Sequence, residues 1–147
     1  MKSTDEPIIV EQHFNAPVRE VWKAITEVNR MTRWFFENIE AFKPETGFET
    51  RFNVTTPNGD FLHLWKLTEV IPLKKITCNW KYEGYPGDSF VSFELFEKDN
   101  GAILRLTHEV TETFPQHIPE FTRESCTGGW NYFIGDRLSA FLEKNSE

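Results

Sequence analysis

The stretch FTRESCTGGWNYFIGDRLSAFLE, Phe121 to Glu143, decides the fold. Within it Cys126, Trp130, Phe133, Ile134, Leu138 and Phe141 follow an i, i+3, i+4, i+7 spacing, which gathers them into one broad arc of a helical wheel. A helix of about 20 residues, rising ~1.5 Å per residue, is long enough to cross a small domain. Between Phe48 and Val110 the chain reads instead as antiparallel strand. One long helix must therefore cover one face of one sheet.

Working outward, a loop with Pro115 and Pro119 precedes the helix, and a meander precedes the loop. Phe48, Thr50, Phe52 and Val54 alternate with Glu49, Arg51 and Asn53, the pattern of a strand with one wet face. Pro57-Asn58-Gly59-Asp60 holds the Asn-Gly pair favoured in tight hairpins. Further strands run from Phe61 to Ile71, from Ile76 to Tyr82, and through Val91, Phe93 and Leu95. Asp99-Asn100-Gly101 turns the last hairpin, and Leu104, Leu106, His108 and Val110 share a face of the final strand.

At the other end, Ile8 to Phe14 is strand-like. Asn15-Ala16-Pro17 reads as a helix start, with Asn15 as cap and Pro where its missing N–H costs nothing. Val18, Val21, Trp22 and Ile25 stripe a helix ending near Thr26, and a second short helix covers about Arg30 to Phe36. The expected architecture is α+β, one domain over residues 1–147: a curved antiparallel sheet of about seven strands, two short helices after strand one, and the long helix in the concave face. A helix cannot fill a wide curved trough, so cavities arise there naturally.

Composition narrows the function. The chain has 147 residues and a net charge of −7, which disfavours nucleic acid, whose phosphates need clustered Lys and Arg. The polar N-terminus, Met1 to Pro7, lacks the apolar core of a secretory signal, and no run is long enough to span a membrane. Cys78 and Cys126 fall on apolar faces of different elements and read as reduced core thiols, which points to the cytoplasm. Fourteen Phe, five Trp and three Tyr exceed what an aliphatic core requires and suggest large, flat-walled packing.

Phe14-Asn15-Ala16-Pro17-Val18-Arg19-Glu20-Val21-Trp22-Lys23-Ala24-Ile25-Thr26 resembles the opening of the activator of heat-shock-protein-90 ATPase homologue family, a branch of the START-like (SRPBCC) superfamily. Trp34, Glu69-Val70-Ile71-Pro72, Trp80 and Gly129-Trp130, with Leu138 and Leu142, continue the likeness in order along nearly the whole chain. The resemblance implies the helix-grip fold. It also implies a choice of roles, because members of the superfamily bind lipids, hormones, flavonoids or polyketides, or act as cyclases, and the named family adds a chaperone partner.

The residues that could carry such a role fall into two groups. Trp34, Phe52, Trp65, Trp80, Phe93, Trp130 and Phe133 form an aromatic wall, either lining a pocket or packed as core. His63, His108 and Arg137 fall on inward faces and could form a polar patch at one end of the cavity. Glu69, on the same predicted face as His63, is an available acceptor for Arg137, and a ligand carboxylate or phenolate is the sharper alternative. No catalytic motif, metal-ligand spacing, phosphate loop or cofactor signature stands out. The leading expectation is non-covalent binding of a small hydrophobic or amphipathic molecule. Its rivals are a chaperone-regulating interaction module and a cyclase or hydrolase using His63, His108 or Glu69. Oligomeric state and ligand identity are not legible in the residues.

Overall fold

A computed structural model describes residues 1–145. Six strands form one antiparallel sheet: β1 (Ile8–Phe14), β2 (Glu49–Thr56), β3 (Gly59–Ile71), β4 (Lys75–Tyr82), β5 (Asp88–Lys98) and β6 (Gly101–Glu112), in the order β1-β6-β5-β4-β3-β2. The count is six rather than the expected seven or so. The segment between the second helix and β2, which includes Pro44, stays irregular and adds no further strand.

Strands β1 and β2 are the two edges, so the helices α1 (Val18–Thr26) and α2 (Val28–Trp34) carry the chain from one side of the sheet to the other. The α1 N-terminus differs from the expected cap. Pro17 itself occupies the cap position, its carbonyl accepting from the Glu20 and Val21 N–H groups, and no side chain caps the helix. Between β5 and β6, Asp99 and Asn100 both take positive φ, 49° and 68°, the geometry of a two-residue hairpin turn with the strands' own twist. In the β2–β3 hairpin the turn residues are Pro57 and Asn58, with Gly59 already paired to Thr56.

After a 3₁₀ turn at Pro119–Phe121, the C-terminal helix starts at α3 (Arg123–Trp130), where the Thr122 hydroxyl accepts from the Ser125 N–H at 3.1 Å. It continues through a π-wound segment, Asn131–Leu138, into α4 (Ser139–Asn145), with α-region backbone at both joints. The buried residues are Trp130, Ile134, Leu138 and Leu142, spaced strictly by four. In a pure α-helix each such step overshoots a full turn by about 40°, which would wind the stripe off the sheet. The wider π turns take up that drift and keep all four side chains on the inner face.

The inward face of the sheet is built from Phe61, His63, Trp65 and Leu67 of β3, Ile76, Cys78 and Trp80 of β4, Ser89, Val91, Phe93 and Leu95 of β5, and Leu104, Leu106, His108 and Val110 of β6. These residues close a single core with the helices. Among the described residues no helix is long and apolar enough to cross a membrane.

Candidate functional site

Two phenylalanines occupy the middle of the hollow between sheet and helix. Where α2 ends, Phe35 and Phe36 both turn inward. Phe35 stacks on Trp34, ring centroids 4.7 Å apart and planes 4° from parallel, and sits 5.7 Å from Trp65, 5.8 Å from Trp130 and 5.0 Å from Phe133. Phe36 lies 5.2 Å from Phe52, 5.1 Å from His63 and 5.0 Å from Phe133. These rings leave a main cavity of about 200 Å³ on one side of Phe35, and a residual pocket of about 20 Å³ on the other.

The main cavity is walled by Phe36, Phe61, Trp80, Phe121, Trp130 and Phe133, and reaches the surface beside Ser125, which is exposed. Of the residues singled out from sequence, His63, Trp80, His108, Trp130 and Phe133 border this space. Trp34, Trp65 and Phe93 line the small pocket, and the indole N–H of Trp65 is buried without a hydrogen-bond partner among the described residues. Phe52 is buried against His63 and Trp65 and borders neither space.

Arg137 does not join the two histidines. It is exposed, donating to the Arg33 carbonyl at 2.7 Å and the Tyr132 hydroxyl at 3.3 Å, so it satisfies a terminal carbonyl of α2. An α-helical wheel places Arg137 about 20° from Trp130. The π-wound segment turns less per residue, and over that distance the shortfall swings Arg137 off the inner face.

Glu69 also lies outside, 3.1 Å from Lys75 on the opposite strand. A bulge between Leu67 and Glu69 is responsible. Leu67 pairs with Cys78 but Glu69 with Thr77, so Thr68 is the extra residue and every side chain beyond it changes face. Val70, opposite the buried Ile76, takes the inward position that simple alternation gives to Glu69.

His108 is held in a complete relay. An indole N–H can only donate, so the 3.2 Å contact from Trp130 Nε1 makes His108 Nδ1 an acceptor. Nε2 then carries the proton and donates to Ser89 Oγ at 3.0 Å, and the Ser89 hydroxyl donates to the Trp80 carbonyl at 2.7 Å. This relay bolts the C-terminal helix to β6, β5 and β4. Burial, with a smaller effect of the Met1 ammonium, lowers the His108 pKa to about 4. Ser89, fully buried, carries no recognisable motif and shows its importance only through this chain of bonds.

His63 is neutral for a related reason. Burial among Phe36, Phe52, Trp80 and Tyr82 lowers its pKa to about 4, although the 3.0 Å bond to the Phe61 carbonyl acts the other way. Nδ1 is the donor in that bond, so the Nε2 lone pair is left with no partner among the described residues.

Glu120 is the contributor that sequence reading missed, because nothing in Ile118-Pro119-Glu120-Phe121 marks it. Its Oε2 accepts from Thr56 Oγ1 at 2.7 Å and Asn58 Nδ2 at 3.0 Å, clipping the β2–β3 hairpin over the cavity. The Asn58 bond first, then Thr56 and its own N–H, hold the carboxyl below its usual pKa against the opposing effect of burial. Oε1 is enclosed and has no hydrogen-bond partner among the described residues. Among the described residues, no group of three or more His, Cys, Asp or Glu side chains is placed to hold a metal ion.

Gly129 borders the cavity, and a Cβ placed there or on Gly128 would meet nothing within 4 Å. The sheet therefore does not approach these glycines closely. Alanine at either position is expected to stabilise the helix by about 1 kcal/mol, measured by denaturant unfolding. Only Gly129→Ala should also weaken binding in the cavity, since its methyl group enters that space.

A curved antiparallel sheet gripping a long C-terminal helix over an aromatic cavity places the molecule among the START-like (SRPBCC) proteins. Residues 15–143 match the model of the activator of Hsp90 ATPase homolog 1-like family, and the chain belongs to that family. Among solved structures, DynU16 of the dynemicin biosynthetic locus is 25% identical with a TM-score of 0.76, the match covering 96% of this chain but only 48% of that one. This chain thus spans about half the length of DynU16. CalU16 from Micromonospora echinospora is 26% identical, with a TM-score of 0.62 and coverage of 95% and 78%. CV1439 from Chromobacterium violaceum, at 20% identity, has a TM-score of 0.78 and coverage of 93% and 96%, a likeness of fold. A search of functionally curated proteins gives no match.

Proposed function

We propose that this protein binds a small hydrophobic or amphipathic molecule non-covalently between the C-terminal helix and the sheet, and that its occupant is about one aromatic ring in size. The observation carrying this reading is the main cavity of about 200 Å³ beside Phe36, walled by rings and containing few polar atoms. A cavity of about 150 Å³ suffices for benzene, so this one suits a substituted ring and not a sterol or a long acyl chain. The dynemicin locus of DynU16 is a biosynthetic setting and fits a small-molecule role.

An interaction module of the chaperone type calls for a cavity closed by side chains and a continuous exposed apolar patch. Here the large exposed apolar side chains, Ile9, Ile71, Leu73, Phe96 and Tyr132, are spread over several elements, and the cavity is open.

At roughly −0.5 kcal/mol per heavy atom, a ten-atom ligand gains about −5 kcal/mol, a Kd of order 0.1–1 mM. Ligand-observed NMR against a library of one-ring compounds tests the reading at these affinities. Saturable binding that Gly129→Leu abolishes supports it. A library with no member bound at several millimolar overturns it.

A further inference from the structure

We infer that the cavity selects a one-ring aromatic amine, with the ammonium paired with the Glu120 carboxylate; this rests on the cavity being a binding site at all. Among the described residues, Glu120 is the one acidic residue bordering the cavity, and no Lys or Arg borders it. Its Oε2 is already committed to Thr56 and Asn58, while Oε1 is enclosed and has nothing to accept from among the described residues, so an ammonium bonds it only by displacing part of the wall. A buried carboxylate oxygen without a donor is costly, and a charged donor satisfies it more strongly than a neutral one.

The rest of the wall points the same way. Among the described residues, Glu120 Oε1 and His63 Nε2 are acceptors that the protein's own bonds leave unused, although the hydroxyls of Tyr82 and Ser125 on the same wall still have a proton to donate. An ammonium brings three donors and no acceptor, whereas a carboxylate brings only acceptors and would face Glu120 with like charge. His108 offers nothing further, since both of its ring nitrogens are used. Trp80, Phe121 and Trp130 line the same space, and aromatic rings attract a cation that reaches their faces. Arg137, the cation that could have received an acidic ligand, is bonded to Arg33 and Tyr132 on the outer surface.

The test compares benzylamine, benzyl alcohol and phenylacetate at pH 7.5 by ligand-observed NMR, with the intact protein and with Glu120→Gln. Glutamine keeps a carbonyl for Thr56 and Asn58 but loses the charge. The expected result is benzylamine bound about tenfold more tightly than benzyl alcohol and phenylacetate not bound, a difference of about 1.4 kcal/mol. Glu120→Gln, checked for folding by thermal unfolding, should erase the preference for the amine. Alcohol or carboxylate binding as tightly as the amine overturns the inference while leaving the cavity reading intact. An unchanged amine preference in a folded Glu120→Gln protein also overturns it. If none of the three compounds binds, but other neutral rings do, the amine inference alone falls; if no ring binds, the cavity reading falls as well.

Discussion

Phe35→Ala is expected to cost about 3–5 kcal/mol of stability and to change the size of molecule the protein accepts. The ring is 6% exposed and touches Trp34, Phe36, Trp65, Trp80, Phe93, Trp130 and Phe133, so its removal takes away the hub of the aromatic core. A loss of that size is a large share of the roughly 5–15 kcal/mol that holds a typical domain folded. Phe35 also borders both cavities, so without it the two spaces become continuous and the unpartnered Trp65 N–H comes within reach of an occupant. The preferred ligand should grow from one ring to two. Denaturant unfolding gives the stability change, and competition between benzylamine and 1-naphthylmethylamine gives the size preference. A cost below about 1 kcal/mol, well under the usual range for a buried Phe, would show that Phe35 is not packed as described. An unchanged preference for the smaller amine would show that Phe35 does not divide the hollow.

Much of this arrangement is legible in the residues, and what is not has identifiable causes. Period-two alternation places Phe61, His63, Trp65 and Leu67 inward, and burial follows it. The same rule fails for Glu69 because a bulge inserts Thr68, and nothing in Leu67-Thr68-Glu69 announces an extra residue. A helical period of 3.6 brings Trp130, Ile134 and Leu138 inward but puts Arg137 there too, because it assumes a uniform winding that the helix does not have. The cavity itself is bounded by Phe35 and Phe36, which lie just past the end of α2 at Trp34, and element ends are where sequence patterns are least informative. Glu120 sits on an irregular stretch with no period to follow. Its role depends on Thr56 and Asn58, more than 60 residues away along the chain.

Acid should release the C-terminal helix at a pH set by the two buried histidines. Both are neutral in the folded protein with pKa values of about 4, against 6.5 for an unfolded histidine. Below pH 6.5 the unfolded chain takes up protons that the folded one refuses, so stability falls as pH drops from 6.5 towards 4 and levels off below that. At about 1.4 kcal/mol per pH unit, each histidine contributes a loss on the order of 3 kcal/mol across this window. The lowered carboxyl pKa of Glu120 acts in the same direction but only below its ordinary value of 4.5, so the first losses belong to the histidines. For His108 the reason is specific. Protonating Nδ1 turns the acceptor of the Trp130 N–H into a second donor, and the relay through Ser89 to Trp80 loses its link to the helix. Denaturant unfolding at pH 7.5, 6, 5 and 4.5 should show a progressive loss above pH 4.5, with near-ultraviolet circular dichroism reporting the loosening of Trp130. Imidazole proton shifts in the folded protein should show two rings that stay neutral at pH 5. Stability that is flat from pH 7 to pH 5, or a His108 resonance titrating near 6.5 in the folded state, would mean that burial does not hold His108 neutral.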